Sequence, residues 1–221
     1  MARVRHLAKG AVGIPVLAVL LSSCLGVRYD YISHTTAGGG DTYLKIPQGW
    51  TVYDQSQIYG GKQSRVSRAQ LSQIESVSWT DIFTPNGSRV FNPKLGFGSN
   101  VPVGVVDAVE LTGSTRQNFS LASLRTLILP TDPLGASSGG YHYKVTAYKE
   151  FTRASGFRGS SMTVRITPPS GPVSVLTQDA VVDAGTNWVY FVGVGCSAKC
   201  FSSYQSSIST IVNSWNVKAE K

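Results

Sequence analysis

The sequence has few of the residues that carry most enzyme chemistry. It contains three histidines, three cysteines and two methionines in 221 residues, and only 14% of its residues are charged. Metal sites need clustered His, Cys or acidic ligands, and a serine hydrolase needs a histidine base. Beyond the first ten residues only His34 and His142 remain, on distant parts of the chain. The composition therefore predicts no metal site, no cofactor and a protein that is not an enzyme.

Long apolar runs are also absent. The longest, residues 11–21 (AVGIPVLAVLL), is about half the ~20 residues that a transmembrane helix needs. Three basic residues and no acid precede it, and two serines and Cys24 follow it. A basic start, a short apolar stretch and small residues before a cut describe a secretory signal. We therefore predict that residues 1–23 form a signal peptide that is removed between Ser23 and Cys24.

The segment Leu21-Ser22-Ser23-Cys24 resembles the lipobox of bacterial lipoproteins. In that family a diacylglycerol alkylates the thiol, the chain is cut before the cysteine, and fatty acids such as palmitate hold the new N-terminus in the membrane. Two acyl chains give stable anchoring where one gives marginal binding. The resemblance implies a lipid on Cys24 and a location on the extracytoplasmic face of the cell membrane. An ordinary cleaved secretory peptide with a chance cysteine is the alternative.

The predicted export changes what the excess of basic residues implies. The formal net charge is +8, and a basic protein usually raises the question of nucleic acid. An exported protein does not meet nucleic acid, so we expect none as a partner. We expect the positive charge to favour contact with an anionic membrane face or wall polymer. The alternative is that the charge only keeps the protein soluble.

Two cysteines remain once Cys24 is assigned to the lipid. An even pair in an exported chain predicts a disulfide, here between Cys196 and Cys200. Free thiols are the alternative. The ring is very small, so we expect the bond to fix one turn and to stabilise the fold only modestly.

The mature chain is predicted to contain a tether and one domain. Residues 25–41 are polar, lack a steady period and contain Gly38-Gly39-Gly40. We predict that residues 24–41 comprise the lipidated cysteine and a flexible tether, and that residues 42–221 form a single domain.

Hydrophobic periodicity predicts strands and helices within that domain. Alternation and β-branched residues predict strands within 42–54, 75–83, 101–111, 141–152 and 159–195. Tyr141, Tyr143, Val145 and Ala147 are placed on one face of their strand. Helices are predicted near 65–74 and 113–130, and at 201–215, where Phe201, Tyr204, Ile208, Ile211, Val212 and Trp215 recur at helical spacing.

The order of these elements resembles a known family. An opening IPQGW (46–50), the hairpin sequence FRGSSMTVRI (157–166), the apolar WVYFVGVG (188–195) and a terminal ISTIVNSWNV (208–217) are similar to the PsbP-like α/β/α sandwich. Actinobacterial lipoproteins of the LpqN type are built in this way. The resemblance implies an α+β fold in which helices flank an antiparallel β-sheet. It implies a binding or accessory role and brings no catalytic residues with it.

Two features could still indicate catalysis. Gly135-Ala136-Ser137-Ser138-Gly139 matches Gly-x-Ser-x-Gly, but a strand follows it where a nucleophile elbow needs a helix. A cell-envelope hydrolase using scattered carboxylates stays as the alternative function, because the separation of carboxylates in space is invisible in a sequence. The acids are Asp54, Glu75, Asp81, Asp107, Glu110, Asp132, Glu150, Asp179 and Asp183.

Aromatic residues are numerous for this length. Most are expected in the core, although some could line a groove for an apolar or sugar-like ligand. They are Tyr53, Tyr59, Trp79, Phe83, Tyr141, Tyr143, Tyr148, Trp188 and Tyr190. The sequence thus predicts a membrane-anchored envelope lipoprotein that binds a ligand or partner without catalysis. An envelope lipid, a glycan and another envelope protein are the classes left open.

Overall fold

The computed structural model describes residues 28–59, 66–85, 87, 98–135 and 139–219. The predicted signal peptide, Ser23 and Cys24 lie outside these residues. The strands are β1 (Tyr29–Thr35), β2 (Gly40–Pro47), β3 (Trp50–Tyr53), β4 (Ser78–Pro85), β5 (Val103–Glu110), β6 (His142–Thr152), β7 (Arg158–Thr167), β8 (Ser174–Val182), β9 (Trp188–Ser197) and β10 (Asn216–Ala219). The helices are α1 (Gln55–Tyr59), α2 (Arg68–Val77), α3 (Gly113–Gln117), α4 (Leu121–Arg125), α5 (Ala198–Ser203) and α6 (Gln205–Ser214).

Two antiparallel sheets organise these elements. The large sheet has seven strands in the order β3-β4-β5-β9-β8-β7-β6, and the small sheet has three in the order β1-β2-β10. Helices pack on both faces of the large sheet. The predicted α+β class, with helices flanking an antiparallel sheet, is confirmed.

The large sheet is covered on both faces, and its middle strand shows this directly. Every residue of β9 is buried, as the unbroken apolar run 188–195 predicts for a central strand. One face packs against the small sheet and α6 around Phe83 and Tyr190. The other packs against α4 around Leu124.

The C-terminal helix is amphipathic as predicted, but it is interrupted. Tyr204 (φ −107°, ψ 12°) separates α5 from α6, so residues 201–215 are two helices and not one. Ile208, Ile211 and Val212 of α6 are buried in the core between the two sheets. The apolar stripe continues across the interruption because its residues all face the core between the two sheets.

The predicted flexible tether is wrong for residues 29–41, which belong to the domain. β1 pairs with β2 along its whole length, from Tyr29 with Pro47 to Thr35 with Asp41. Ile32 is only 6% exposed and lies in the core. Burial of this one apolar side chain and the backbone pairing order a segment whose composition is that of a linker.

The glycines that suggested a linker instead form the turn between β1 and β2. Gly38 has φ +69°, which favours glycine. A Cβ on Gly39 would lie 2.4 Å from the Tyr190 hydroxyl oxygen, and that oxygen accepts the Gly40 N–H at 2.6 Å. The turn is therefore held close against the large sheet.

Two other expectations need correction, and one element was missed. The helix predicted over 113–130 is two short helices, α3 and α4, because the chain leaves helical geometry at Asn118. A bulge between Val145 and Ala147 shifts the alternation of β6, so Tyr148, rather than the exposed Ala147, packs inward. The four-residue β10 was not predicted at all.

Candidate functional site

The side of the small sheet that faces away from the core carries mostly polar side chains. Strand alternation turns Leu44, Ile46 and Val217 inward, and places every second residue outward. Strand register arranges the outward residues in rows: Thr35, Asp41 and Lys218; Ser33, Tyr43 and Asn216; Tyr31 and Lys45. We call this surface the outer face.

A shallow groove of about 540 Å³ runs over the outer face. Residues from β1, β2, β10 and the end of α6 line it: Ser33, His34, Thr35, Asp41, Thr42, Tyr43, Ser214, Asn216 and Lys218. The Thr35 hydroxyl donates a hydrogen bond to Asp41 at 2.7 Å, which holds that carboxylate in place. The lining combines hydrogen-bond donors and acceptors with the Tyr43 ring, and it is more polar than the mainly apolar lining of most small-molecule sites.

The edge of the groove is closed by α6. β10 pairs with β2 only as far as Tyr43. The backbone N–H of Lys45, the next one along that edge of β2, therefore has no strand partner. Ser214 fills this role, because its hydroxyl oxygen accepts the Lys45 N–H at 2.9 Å. The last turn of α6 thereby joins the wall of the groove.

Tyrosines mark one end of the outer face. The rings of Tyr31 and Tyr43 stack with centroids 5.5 Å apart and an interplanar angle of 25°. Tyr31 is 59% exposed and Tyr43 is 38% exposed, so both rings are open to solvent. Tyr43 lines the groove, whereas Tyr31 stacks on it from outside the lining.

Among the described residues, no hydrogen bond joins either of the two histidines considered as bases to a serine, threonine or cysteine side chain. The imidazole of His34 lies parallel to Trp79 of the large sheet, with centroids 4.4 Å apart. Burial lowers the pKa of His34 and favours its neutral form. This side chain thus bridges the two sheets by stacking, while His142 is exposed at the start of β6.

Several acidic side chains are held by hydrogen bonds or ion pairs that stabilise the fold. Asp54 accepts the Gln57 N–H at 2.8 Å and the Ser56 hydroxyl at 2.6 Å, which caps α1. Arg125 binds Asp132 through two hydrogen bonds of 2.9 and 2.6 Å and lies 3.6 Å from Glu150. These carboxylates are occupied by the fold.

Asp81 on β4 and Asp107 on β5 differ from these acids because their pKa values are raised. Burial raises the pKa of Asp81 to about 6, and the nearby Asp54 adds to the effect. Burial likewise raises the pKa of Asp107 to about 7, against hydrogen bonding from Thr80 and the Ala108 N–H. Within the described ranges no group of three or more His, Cys, Asp or Glu side chains could hold a metal ion.

The Gly-x-Ser-x-Gly sequence gains no support as a nucleophile elbow. Ala136, Ser137 and Ser138 lie outside the described residues. The segment connects α4 to β6, whereas an elbow follows a strand and opens a helix.

The structure joins Cys196 to Cys200 by a disulfide, with Cα atoms 5.9 Å apart. Cys196 lies in β9 and Cys200 in α5, and both are buried. Between them, Ser197 caps α5 by accepting the Cys200 N–H. The bond therefore fixes the angle at which the chain leaves the central strand.

We expect mass analysis of the purified protein, alkylated without reductant, to find Cys196 and Cys200 unlabelled. Reduction before alkylation should label both and serves as the control. Replacing both cysteines with serine should lower the melting temperature by only a few degrees, because a short ring restricts the unfolded chain little. Full labelling without reductant would contradict the disulfide.

Comparison with known proteins gives similarity of fold alone. No family model and no curated protein matches the chain. Cyanobacterial PsbP from Synechocystis sp. PCC 6803 is similar with a TM-score of 0.49 and 13% identity, over 96% of this chain and 98% of that one. LpqN, involved in cell envelope biogenesis of Mycobacterium tuberculosis, has a TM-score of 0.45 and 13% identity, over 86% and 91%.

A third similar structure is the Ran-binding protein Mog1p of Saccharomyces cerevisiae. Its TM-score is 0.43 and its identity 11%, over 86% of this chain and 96% of that one. PsbP and LpqN are the two kinds of protein that the sequence resemblance named. At these identities, what the three proteins bind is not transferred to this chain.

Sequence reasoning missed the outer face entirely. Its residues on β1 lie in the segment interpreted as a tether, and Asn216 and Lys218 follow the last predicted helix. The alternation of residues 42–46 was recognised, but it could not show which other strands continue the same surface.

Proposed function

We propose that this protein is a non-enzymatic envelope lipoprotein that binds a hydroxyl-rich ligand in the groove of the outer face. The observation that carries the proposal is the row Ser33, Tyr43 and Asn216, flanked by Asp41 and Lys218. Serine, asparagine, aspartate and lysine supply both donors and acceptors for hydroxyl groups. The Tyr43 ring offers an apolar surface for the face of a sugar or polyol.

The location is part of the proposal. A lipid on Cys24 would hold the domain at the extracytoplasmic face of the cell membrane. No helix in the described part of the chain is long and apolar enough to cross a membrane. The ligand is then a component of the envelope, either a glycan or the head group of a glycolipid.

We expect Cys24→Ala to release the protein from membranes or to leave an uncleaved precursor, because the thiol that accepts the lipid is lost. Ser22→Ala keeps a small residue beside the cleavage site and is the matched control. Fractionation and intact mass measure both variants. A Cys24→Ala protein that fractionates and migrates like wild type would contradict the anchor.

The ligand is tested with lysine variants. Mass spectrometry of the purified lipoprotein identifies bound envelope glycans or glycolipids, and calorimetric titration measures their affinity. Lys218→Ala should weaken binding roughly ten- to a hundredfold, since a hydrogen bond from a charged donor contributes about 1.5–3 kcal/mol. Lys199→Ala, an equally charged and exposed change on α5, should leave the affinity unchanged.

The outcomes separate the ligand classes. Binding of free oligosaccharide identifies a glycan site, and binding only of the lipid-linked form identifies a head-group site. Equal affinities for both lysine variants would place the ligand elsewhere. Co-purification of a protein, with no glycan or glycolipid bound, would favour a partner protein and overturn the ligand proposal.

A further inference from the structure

We propose that the Tyr31 end of the outer face rests on the head groups of the membrane that holds the Cys24 lipid. The proposal deepens the proposed function and depends on its anchor. It assigns the exposed Tyr31, which does not line the ligand groove, to contact with an anionic lipid surface.

The length of chain between lipid and domain sets the distance. The first described residue is Arg28, whose carbonyl accepts the Gln48 N–H at 2.9 Å and so belongs to the start of the small sheet. Only three residues lie between it and Cys24. Fully extended, the four Cα–Cα steps from Cys24 to Arg28 span at most about 14 Å, roughly twice the thickness of one head-group region. A lipid on Cys24 would therefore hold the start of β1 close to the membrane surface.

The chemistry at this end suits that surface. Tyrosine has an apolar ring and a polar hydroxyl, and it is enriched at membrane interfaces for that reason. Tyr31 pairs directly with Lys45 across the strands, and Arg28 is exposed nearby, so two basic side chains stand against the one exposed acid at this end, Asp30. Each basic side chain close to an anionic leaflet adds attraction, which supplements the lipid anchor.

The opposite end of the outer face is further from the membrane. Thr35 lies four residues along β1 from Tyr31, which is about 13 Å at the rise of a strand. The only acid in the rows, Asp41, pairs with Thr35 at that far end. The groove would thus open at the height of the head groups and extend away from them.

Labels on the lipidated protein test this orientation. Tyr31→Cys, Thr35→Cys and Leu134→Cys are each modified with an environment-sensitive thiol dye, and the proteins are placed in vesicles of phosphatidylcholine and phosphatidylglycerol. Cys196 and Cys200 do not react because they form a disulfide. Leu134 is the matched control, since it is 49% exposed in a loop outside the small sheet.

We expect the dye at position 31 to shift to the blue and to be quenched by lipids with a nitroxide near the head group. The dyes at positions 35 and 134 should show little of either effect. Equal, weak quenching at all three positions in a vesicle-bound protein would overturn the proposal while leaving the anchor intact.

A second measurement does not depend on the lipid. The mature chain with Cys24→Ser should partition onto the same vesicles, and Lys45→Gln should lower that partition about fivefold. Lys199→Gln is the control and should have little effect. If mass analysis finds no lipid on the natural protein, the anchor fails; absence of any partition, or equal partition of both glutamine variants, rejects the membrane contact itself.

Discussion

Replacing Ile211 with aspartate is expected to unfold the domain or to cost several kcal/mol of stability. Ile211 is 0% exposed and lies in the core between α6 and the two sheets. A carboxylate there would lose its water without gaining a partner, which is among the most costly single changes in a protein. Urea denaturation followed by tryptophan fluorescence measures the effect.

The matched control lies two residues away on the same helix. Ser209 is exposed, so Ser209→Asp should change the free energy of unfolding by no more than about 0.5 kcal/mol. Equal urea midpoints for Ile211→Asp, Ser209→Asp and wild type would mean that α6 does not hold the sheets together.

Asp107 is expected to make stability fall as pH rises from about 4 towards 8, against an opposing contribution from His34, whose pKa is lowered by burial. Burial raises the pKa of Asp107 from 3.8 to about 7 in the folded protein. Between these values the folded state keeps a proton that the unfolded state has released, so raising the pH favours unfolding. Each unit of difference corresponds to about 1.4 kcal/mol, which gives a total of a few kcal/mol.

Asp107→Asn should flatten this pH dependence because asparagine cannot ionise. One oxygen of the Asp107 carboxylate is buried without a hydrogen-bond partner among the described residues, so ionisation there is poorly compensated. A shallower slope should persist from Asp81, whose pKa is raised to about 6. Melting temperatures at several pH values measure both effects, with Asp30→Asn, an exposed change on β1, as control. Parallel curves for Asp107→Asn and wild type would contradict the assignment.

Sequence reasoning succeeded where a local period and burial coincide. Ile208, Ile211 and Val212 recur at helical spacing because one side of α6 is buried, and residues 188–195 are apolar throughout because β9 is covered on both faces. These patterns need no knowledge of distant residues.

It failed where the deciding interactions are distant along the chain. β1 carries one core residue, Ile32, and is ordered by its pairing with β2 and by the contact of its turn with Tyr190. β10 is too short to show a period. The groove joins Ser33 and Tyr43 to Asn216, and no local pattern reveals that these residues share one row.

The closure of the small sheet also determines when this protein can finish folding. The hydrogen bond from Lys45 to Ser214 joins residues 169 positions apart, and β10 completes the sheet directly beyond it. Such contacts raise the contact order, and the chain must fix a very long loop before they form. β1 and β2 pair locally, but the small sheet and its groove are completed only by β10, which supplies Asn216 and Lys218. We therefore expect a chain cut before Asn216 to leave the small sheet open along β2 and to lack one wall of the groove.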